Sequence, residues 1–335
     1  MMSDLRAAPC HASAYLARAA VTAPSPYNTQ PWTFVAEDED RGIEVHVDGA
    51  RRLPLNDPSG REMVISCGAA LLNIRLAMRH LGFNPVVEHF PRPPDPSFLA
   101  RVTWGAYQPP TPEDERLFGA LRRRHTAHGP FLAEPLPPSL TDDLREHARR
   151  ARATLDFLTD RAGRRHLAEL VRIAEDVRRS RPEYAAEQRR WTWWPGEPRC
   201  DGIPADADVT HPDVTDFPGR DYAGLTRMFP TPSQRRPART GPVAILSTDR
   251  DDPAAWLRAG EALQRILLEA ADHGVMAAFH TQPLEVPSLR VRIRQTLSGG
   301  AFPQMIFRLG YPALVQPLPR RPLAEVLRVA GAGLA

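Results

Sequence analysis

"CGAALLNIRLAMRHLGFNPVVEHFP", residues 67–91, carries the pattern from which the fold is read. Together with Val64 just before it, Cys67, Leu71, Ile74, Met78 and Leu81 recur at helical spacing and predict an amphipathic helix. Gly82 supplies the helix C-cap, and the apolar run from Val86 to Phe90 predicts an extended segment behind it. "AGEALQRILLEAADHGVMAAFHTQP", residues 259–283, follows the same plan. Gly68 and Gly82 fall opposite Gly260 and Gly274, and Pro91 opposite Pro283, at a constant offset of 192 positions without a gap. Pattern and punctuation agreeing in this way point to an internal duplication.

Short strands flank each helix. "TFVAE" and "IEVHVD", joined by the acidic turn "DEDRG", predict a pair, and "FLARVTW" a further strand. In the second half "PVAILST", "VMAAFH" and "QMIFRLG" take similar parts. The expectation is α+β: two fused halves, residues 1–108 and 109–335, each packing helices on a sheet. A proline-rich hinge, "QPPTPEDE", separates them. An insertion at 191–242 is too long for an ordinary connector. It opens with Trp191, Trp193 and Trp194 and continues with "PGEPRCDGIPADADV", which is neither helical nor strand-like. Its plainer reading is a surface loop whose tryptophans tuck into a groove; its functional reading is a lid over a site between the halves.

Composition narrows the function classes. With 335 residues, 42% hydrophobic and 25% charged, the chain is long and apolar enough to fold around a sizeable core. The longest apolar run, "MVISCGAALL", is interrupted by Asn73 and Arg75, so no membrane span is expected. Asp4, Arg6 and His11 break up any signal-peptide core, so export is not expected. Cys10, Cys67 and Cys200 lack CxxC spacing, which argues against a disulfide framework or zinc site and fits a reducing cytoplasm. Net charge is only +3 with arginines dispersed among carboxylates, so nucleic acid is not an expected partner. The chain has no lysine and 36 prolines, a compositional bias with no functional reading of its own.

"APSPYNTQPW", residues 23–32, is the most unusual stretch. Pro24 and Pro26 fix φ and stiffen the backbone. Asn28 and Gln30 offer amide donors and acceptors on that frame, and Trp32 anchors it to the core. By itself this is a proline-stiffened turn, with a planar ligand as the alternative.

"PSPYNTQPW" resembles the P-S-S-x-N-x-Q-P-W segment of nitroreductase-like flavoproteins. "RLPLNDPSGRE…ISCGAALLNIRLAMRHLGF" is similar to the Acg-type branch, in which two nitroreductase units are fused in one chain. "RRHTAHGPF" (123–131) resembles that family's phosphate-binding stretch, "TQPLE" (281–285) its flavin-edge loop, and "PRRPLAEVL" (319–327) its C-terminal basic motif. The resemblance implies a nitroreductase-like fold folded as an intramolecular pseudodimer, with FMN as cofactor. The first half has the loop and the second the phosphate stretch, which implies one composite pocket.

The resemblance also implies roles. Arg124 with Thr126 would hold the FMN phosphate, since a guanidinium forks onto phosphate oxygens, and Arg320 or neighbouring Arg321 would give a second contact. Pro24, Ser25, Pro26 and Asn28 would pack on or hydrogen-bond the flavin ring. Gln282, Pro283, Leu284 and Glu285 would line its N5 side, and Trp191, Trp193 and Trp194 the lid. The plainer readings are a solvated basic run, a surface arginine and a helix-entry turn. His125 belongs to the phosphate stretch, and His128 stands where relatives carry a lysine or arginine, giving only a conditional charge. His125 and His128 have no third ligand, so no metal is expected. Leu318 stands where relatives often have lysine. The expected activity is an FMN-dependent oxidoreductase, ping-pong from NAD(P)H to a nitroaromatic or quinone. A flavin-dependent dehydrogenase or oxidase of a biosynthetic intermediate, and a flavin-storing protein, are the alternatives. The lack of a Gly-x-Gly-x-x-Gly motif says nothing against NAD(P)H, which such proteins take up transiently. Monomer and homodimer both remain open.

Overall fold

A computed structural model describes residues 11–128, 131–194, 196–205 and 241–330. The first part runs α1 (His11–Ala20), β1 (Trp32–Ala36), β2 (Gly42–Val47), α2 (Arg61–His80), β3 (Phe83–His89), β4 (Phe98–Tyr107) and α3 (Pro112–Ala120). There follow α4 (Pro138–Arg150), β5 (Thr154–Phe157), α5 (Arg161–Arg179), α6 (Pro182–Arg190), β6 (Thr192–Trp193) and β7 (Ile203–Pro204). The chain then continues through β8 (Val243–Thr248), α7 (Pro253–Asp272), β9 (Met276–Phe279), α8 (Pro287–Thr296), β10 (Phe302–Gly310), α9 (Leu323–Val326) and β11 (Leu327–Val329).

Helices α2 and α7 occupy positions separated by the same offset that relates the glycines. Glu62 sits in the first turn of α2 and Arg79 and His80 in its last, matching the helix dipole. Asp252 caps α7 by accepting from Ala255 N at 2.8 Å, with Pro253 in the first turn. Both helices stop before a glycine that adopts a left-handed conformation, Gly82 at φ 84° and Gly274 at φ 73°.

The strands form two main sheets of matching order, antiparallel except where β11 joins the first. One runs β11-β1-β2-β4-β3 and the other β5-β8-β10-β9. Leaving β11 aside, each reads first-second-fourth-third, with a central helix joining its second strand to its third. The first hairpin closes through the turn 37–41, whereas α5, α6, β6, β7 and the stretch 206–240 separate β5 from β8. Helix α5 lays Leu167, Leu170 and Val171 on the outer face of the second sheet against Val243 and Ile245. Ala244 and Leu246, pointing the other way, pack with Leu263 and Ile266 of α7. Burial on both faces explains why β8 is apolar almost throughout.

The central helices touch where their equivalent glycines meet. A Cβ on Gly68 would overlap the Leu257 carbonyl oxygen and stand 3.0 Å from Gly260 Cα; one on Gly260 would overlap the Ile65 carbonyl and stand 2.9 Å from Gly68 Cα. Two backbones approach this closely only without side chains between them. The C-terminal segment crosses back: β11 pairs parallel with β1, Phe34 opposite Leu327. Among the described residues no helix is long and apolar enough to cross a membrane.

Candidate functional site

The loop from Ala23 to Trp32 is held in an uncommon shape. Tyr27, Asn28 and Gln30 all have φ near +50° (50°, 52° and 51°), the left-handed region that side chains disfavour. Such strain persists only where the surroundings impose it. Here Gln30 N donates to Ser25 Oγ at 2.9 Å, Gln30 Nε2 to Cys200 O at 2.8 Å, and Arg321 N to Gln30 Oε1 at 2.8 Å. Asn28 Nδ2 donates to Gly202 O at 3.2 Å and Pro319 O at 3.1 Å, and its Oδ1 accepts from Arg320 Nη1 at 2.9 Å. The Asn28 amide therefore ties together the loop, the insertion and the C-terminal strip.

The strip 124–128 runs beside β9. Thr126 bridges Ala277 in parallel, and Ala127 N donates to Ala277 O at 2.8 Å. This brings the strip opposite the loop, and Pro24, Ser25, Pro26, Asn28, Thr126, His128 and Arg320 line one cleft between them. Leu318 is a further part of its wall.

Two cations converge beside the cleft: Arg320 lines its wall, whereas Arg124 is buried next to Arg320 without lining it. Arg124 is 3% exposed; its Nη2 donates to Thr22 O at 2.9 Å, and Arg320 Nη2 reaches the same oxygen at 3.4 Å. Arg124 Nε and Nη1 and Arg320 Nε are buried without a hydrogen-bond partner, and neither arginine has a carboxylate partner among the described residues. Burial, then the charge of Arg320, pushes Arg124 down to about 9; burial pushes Arg320 down to about 10. Buried guanidinium nitrogens without acceptors are costly, and an anion placed between them would satisfy both side chains. His125 lies next to this pair, its pKa lowered by burial and by both arginines. Burial alone pushes His128 down to about 4, so it is neutral near pH 7. Among the described residues no group of three or more His, Cys, Asp or Glu is arranged to hold a metal ion.

The floor contains polar groups that the sequence reading passed over. Glu62, His280 and Arg308 all line the cleft. Arg308 Nε donates to His280 Nε2 at 2.7 Å, which leaves the imidazole proton on Nδ1, and the guanidinium lies 5.2 Å from the centre of the Phe131 ring. Glu62 pairs with Arg61 at 2.8 Å. An arginine inside the apolar run "QMIFRLG" was the available signal for Arg308; Thr22, whose carbonyl joins the two cations, left none.

Other candidate residues lie around the cleft rather than in it. Thr281 lines it, but Gln282 and Pro283 are buried behind, and Leu284 packs with Ile293 and Leu289. Glu285 forms an ion pair with Arg178 of α5 at 3.1 Å, and Arg178 also bonds the Tyr27 hydroxyl. Arg321 is turned away, bonding Gln30 O and Glu325. Trp191 is buried with Tyr27, Leu53 and Ile203, Ile203 itself lining the cleft. Trp193 is half-buried and Trp194 is 56% exposed. The expected lid lies largely at 206–240, outside the described residues.

Two sheets on a pair of packed central helices, with a stiff loop and Arg320 on the wall of one cleft and Arg124 buried beside Arg320, define an α+β protein with, among the described residues, unpaired buried positive charge next to that cleft. No family model matches the chain. It is 33% identical over 319 residues to the protein named "Putative NAD(P)H nitroreductase Rv3131" of Mycobacterium tuberculosis, covering 92% of this chain and 88% of that one. It is 31% identical over 320 residues to "Putative NAD(P)H nitroreductase acg" of the same organism, covering 92% and 93%. Among solved structures, the FMN and NADPH-dependent nitroreductase NfnB from sphigopyxis sp. strain HMH aligns with 63% of this chain and 96% of its own, at 18% identity and a TM-score of 0.41. The chain belongs to the NAD(P)H nitroreductase family that includes Rv3131 and acg.

Proposed function

We propose that the chain is an FMN-dependent oxidoreductase that carries electrons from NAD(P)H to a small electron-poor acceptor, a nitroaromatic or a quinone, by a ping-pong mechanism. The observation that carries this reading is the pair Arg124 and Arg320, which meet at the Thr22 carbonyl with buried, acceptor-less nitrogens: Arg320 on the cleft wall and Arg124 buried beside it would suit the phosphate of FMN. Thr126 adds a hydroxyl nearby. Pro24, Ser25, Pro26 and the backbone around Asn28 would brace one side of the ring, and Thr281 with the turn Gln282–Glu285 would back the other. Bound there, the flavin would supply hydride and electron chemistry, accepting from NAD(P)H and passing on to the acceptor. The chain's own part is to bind, orient and shield. Arg308, locked by His280, holds positive charge at the floor, and His128 lines the cleft as a neutral imidazole.

The repeated topology and the Gly68–Gly260 contact support a fused pseudodimer with halves at 1–108 and 109–335, in which β11 returns to the first sheet. The test is anaerobic mixing of the yellow protein with NADPH: bleaching, followed by recolouring with a nitroaromatic or quinone, supports the reductase. A protein that binds FMN without bleaching would favour flavin storage. Trp191 and Ile203, which bring the insertion onto the cleft wall, are the observation in favour of that second reading.

A further inference from the structure

Two amides are buried where the central helices pack, Asn73 on α2 and Gln264 on α7, both at 0% exposure. Neither lines the cleft. Gln264 Nε2 donates to Asn73 Oδ1 at 2.8 Å, and Asn73 Nδ2 donates to Thr22 Oγ1 at 3.0 Å and to Ala19 O at 3.1 Å. The Thr22 hydroxyl spends its single proton on Ala19 O at 2.8 Å, so toward Asn73 it accepts. That polarity fixes the orientation of the Asn73 amide, which leaves Oδ1 for Gln264.

The backbone of the same threonine carries the oxygen that Arg124 and Arg320 share. Thr22 lies just past the end of α1, where its amide still bonds Ala19 O at 3.2 Å. The C-terminal end of a helix favours nearby cations. Anchored at its side chain by Asn73, Thr22 presents its carbonyl in one direction, and both guanidinium groups follow it. Apolar side chains would fill the helix contact without the desolvation cost of two amides. The chain Gln264–Asn73–Thr22 therefore has a purpose besides packing.

We propose that Asn73, backed by Gln264, is a positioning residue for the phosphate end of the cleft: it pins Thr22, whose carbonyl gathers Arg124 and Arg320 toward one anion. This rests on the reading that the cleft holds FMN. A positioning effect on the phosphate end separates from a general loss of structure, because riboflavin has the same ring and no phosphate.

The full chain, freed of flavin, is titrated with FMN and with riboflavin, and folding is followed by thermal melting. Wild type binds FMN more tightly than riboflavin. Thr22→Val and Asn73→Leu raise the Kd for FMN about tenfold and leave that for riboflavin within about twofold. Thr22→Ser, which retains the hydroxyl, keeps the wild-type ratio. Should Asn73→Leu fail to fold, the Thr22→Val and Thr22→Ser pair decides. Equal weakening of both flavins, or unchanged FMN affinity in folded Thr22→Val, overturns the proposal. Wild type binding both flavins equally overturns it too while leaving a flavin site in place; wild type binding neither removes the FMN reading itself.

Discussion

Arg124 and Arg320 donate to one and the same carbonyl oxygen, that of Thr22, at 2.9 and 3.4 Å. Two like charges drawn to a neutral acceptor destabilise each other until an anion joins them. Inorganic phosphate at constant ionic strength should therefore raise the Tm of the flavin-free protein, and chloride should not. Arg124→Met should remove that response and weaken FMN binding on the order of 10- to 100-fold, measured by fluorescence titration. Its flavin-free form should be at least as stable as wild type, because an uncompensated buried charge has gone.

The Gly68–Gly260 contact leaves no room for a methyl group. Either Gly68→Ala or Gly260→Ala should cost about 3 kcal/mol in urea unfolding, although alanine is the better helix former. Gly49→Ala, where an added Cβ meets nothing within 4 Å, is the control and should change stability little.

Burial holds His128 at about 4, below its ordinary 6.5. The unfolded chain then takes up a proton that the folded chain refuses, so stability contributed by this group is present above pH 6.5 and lost as pH falls toward 4. His128→Phe should flatten that part of the stability profile. The conditional charge expected of His128 near neutrality is therefore absent: in a flavin-loaded protein the midpoint potential should have the same pH slope between about pH 6 and 8 as in His128→Phe, and a steeper slope in wild type by spectroelectrochemical titration would show that the imidazole titrates there after all.

Glu269 shows linkage of the same sign from the opposite cause, a charged form that is held rather than refused. Burial would raise its pKa, but hydrogen bonds from His147 at 3.0 Å and Arg116 at 2.8 Å outweigh it and bring the carboxyl from 4.5 down to about 2. His273 at 3.4 Å also faces it, and Asp272 shares Arg116. A depressed carboxyl stabilises above its unfolded pKa, so this contribution should disappear as pH drops from 4.5 to about 2. Glu269→Gln should be less stable at neutral pH and less sensitive to acid in that window.

Two tryptophans three residues apart should behave differently. Trp191, 4% exposed against Tyr27, Leu53 and Ile203, should cost about 3 kcal/mol or more when changed to alanine and should weaken FMN binding through the loop. Trp194→Ala, at a side chain 56% exposed, should change neither.

What could be read from residues alone follows physical lines. The central helices were legible because a buried helix repeats its apolar positions and ends on a left-handed glycine, and both features recur at Gly82 and Gly274. Most of the strands around them were legible as short β-branched or apolar runs bounded by turn residues. Helices α5 and α6 were passed over, because their arginine-rich exposed faces mask the apolar stripe of Leu167, Leu170 and Val171. Pairing of β11 with β1 depends on contacts between the two ends of the chain, to which local pattern is blind. Proline spacing and the basic run indicated the loop and the strip, but the partners that aim them, Thr22, Asn73 and Arg178, act through a carbonyl, a buried amide and a long-range ion pair. Asn28 and Arg321 illustrate the limit: residue type foretold hydrogen bonding, and only packing decided that much of it is spent on the protein itself.

Arg320 lies a few residues ahead of β11, the strand that closes beside β1. The ribosome must therefore deliver nearly the whole described polypeptide before Arg320 can take its place on the cleft wall. If the cleft holds FMN, a nascent chain halted earlier would have the stiff loop and Arg124 without the arginine that reaches the same carbonyl, so loading of the cofactor would follow translation of the C-terminal strip rather than accompany the earlier segments.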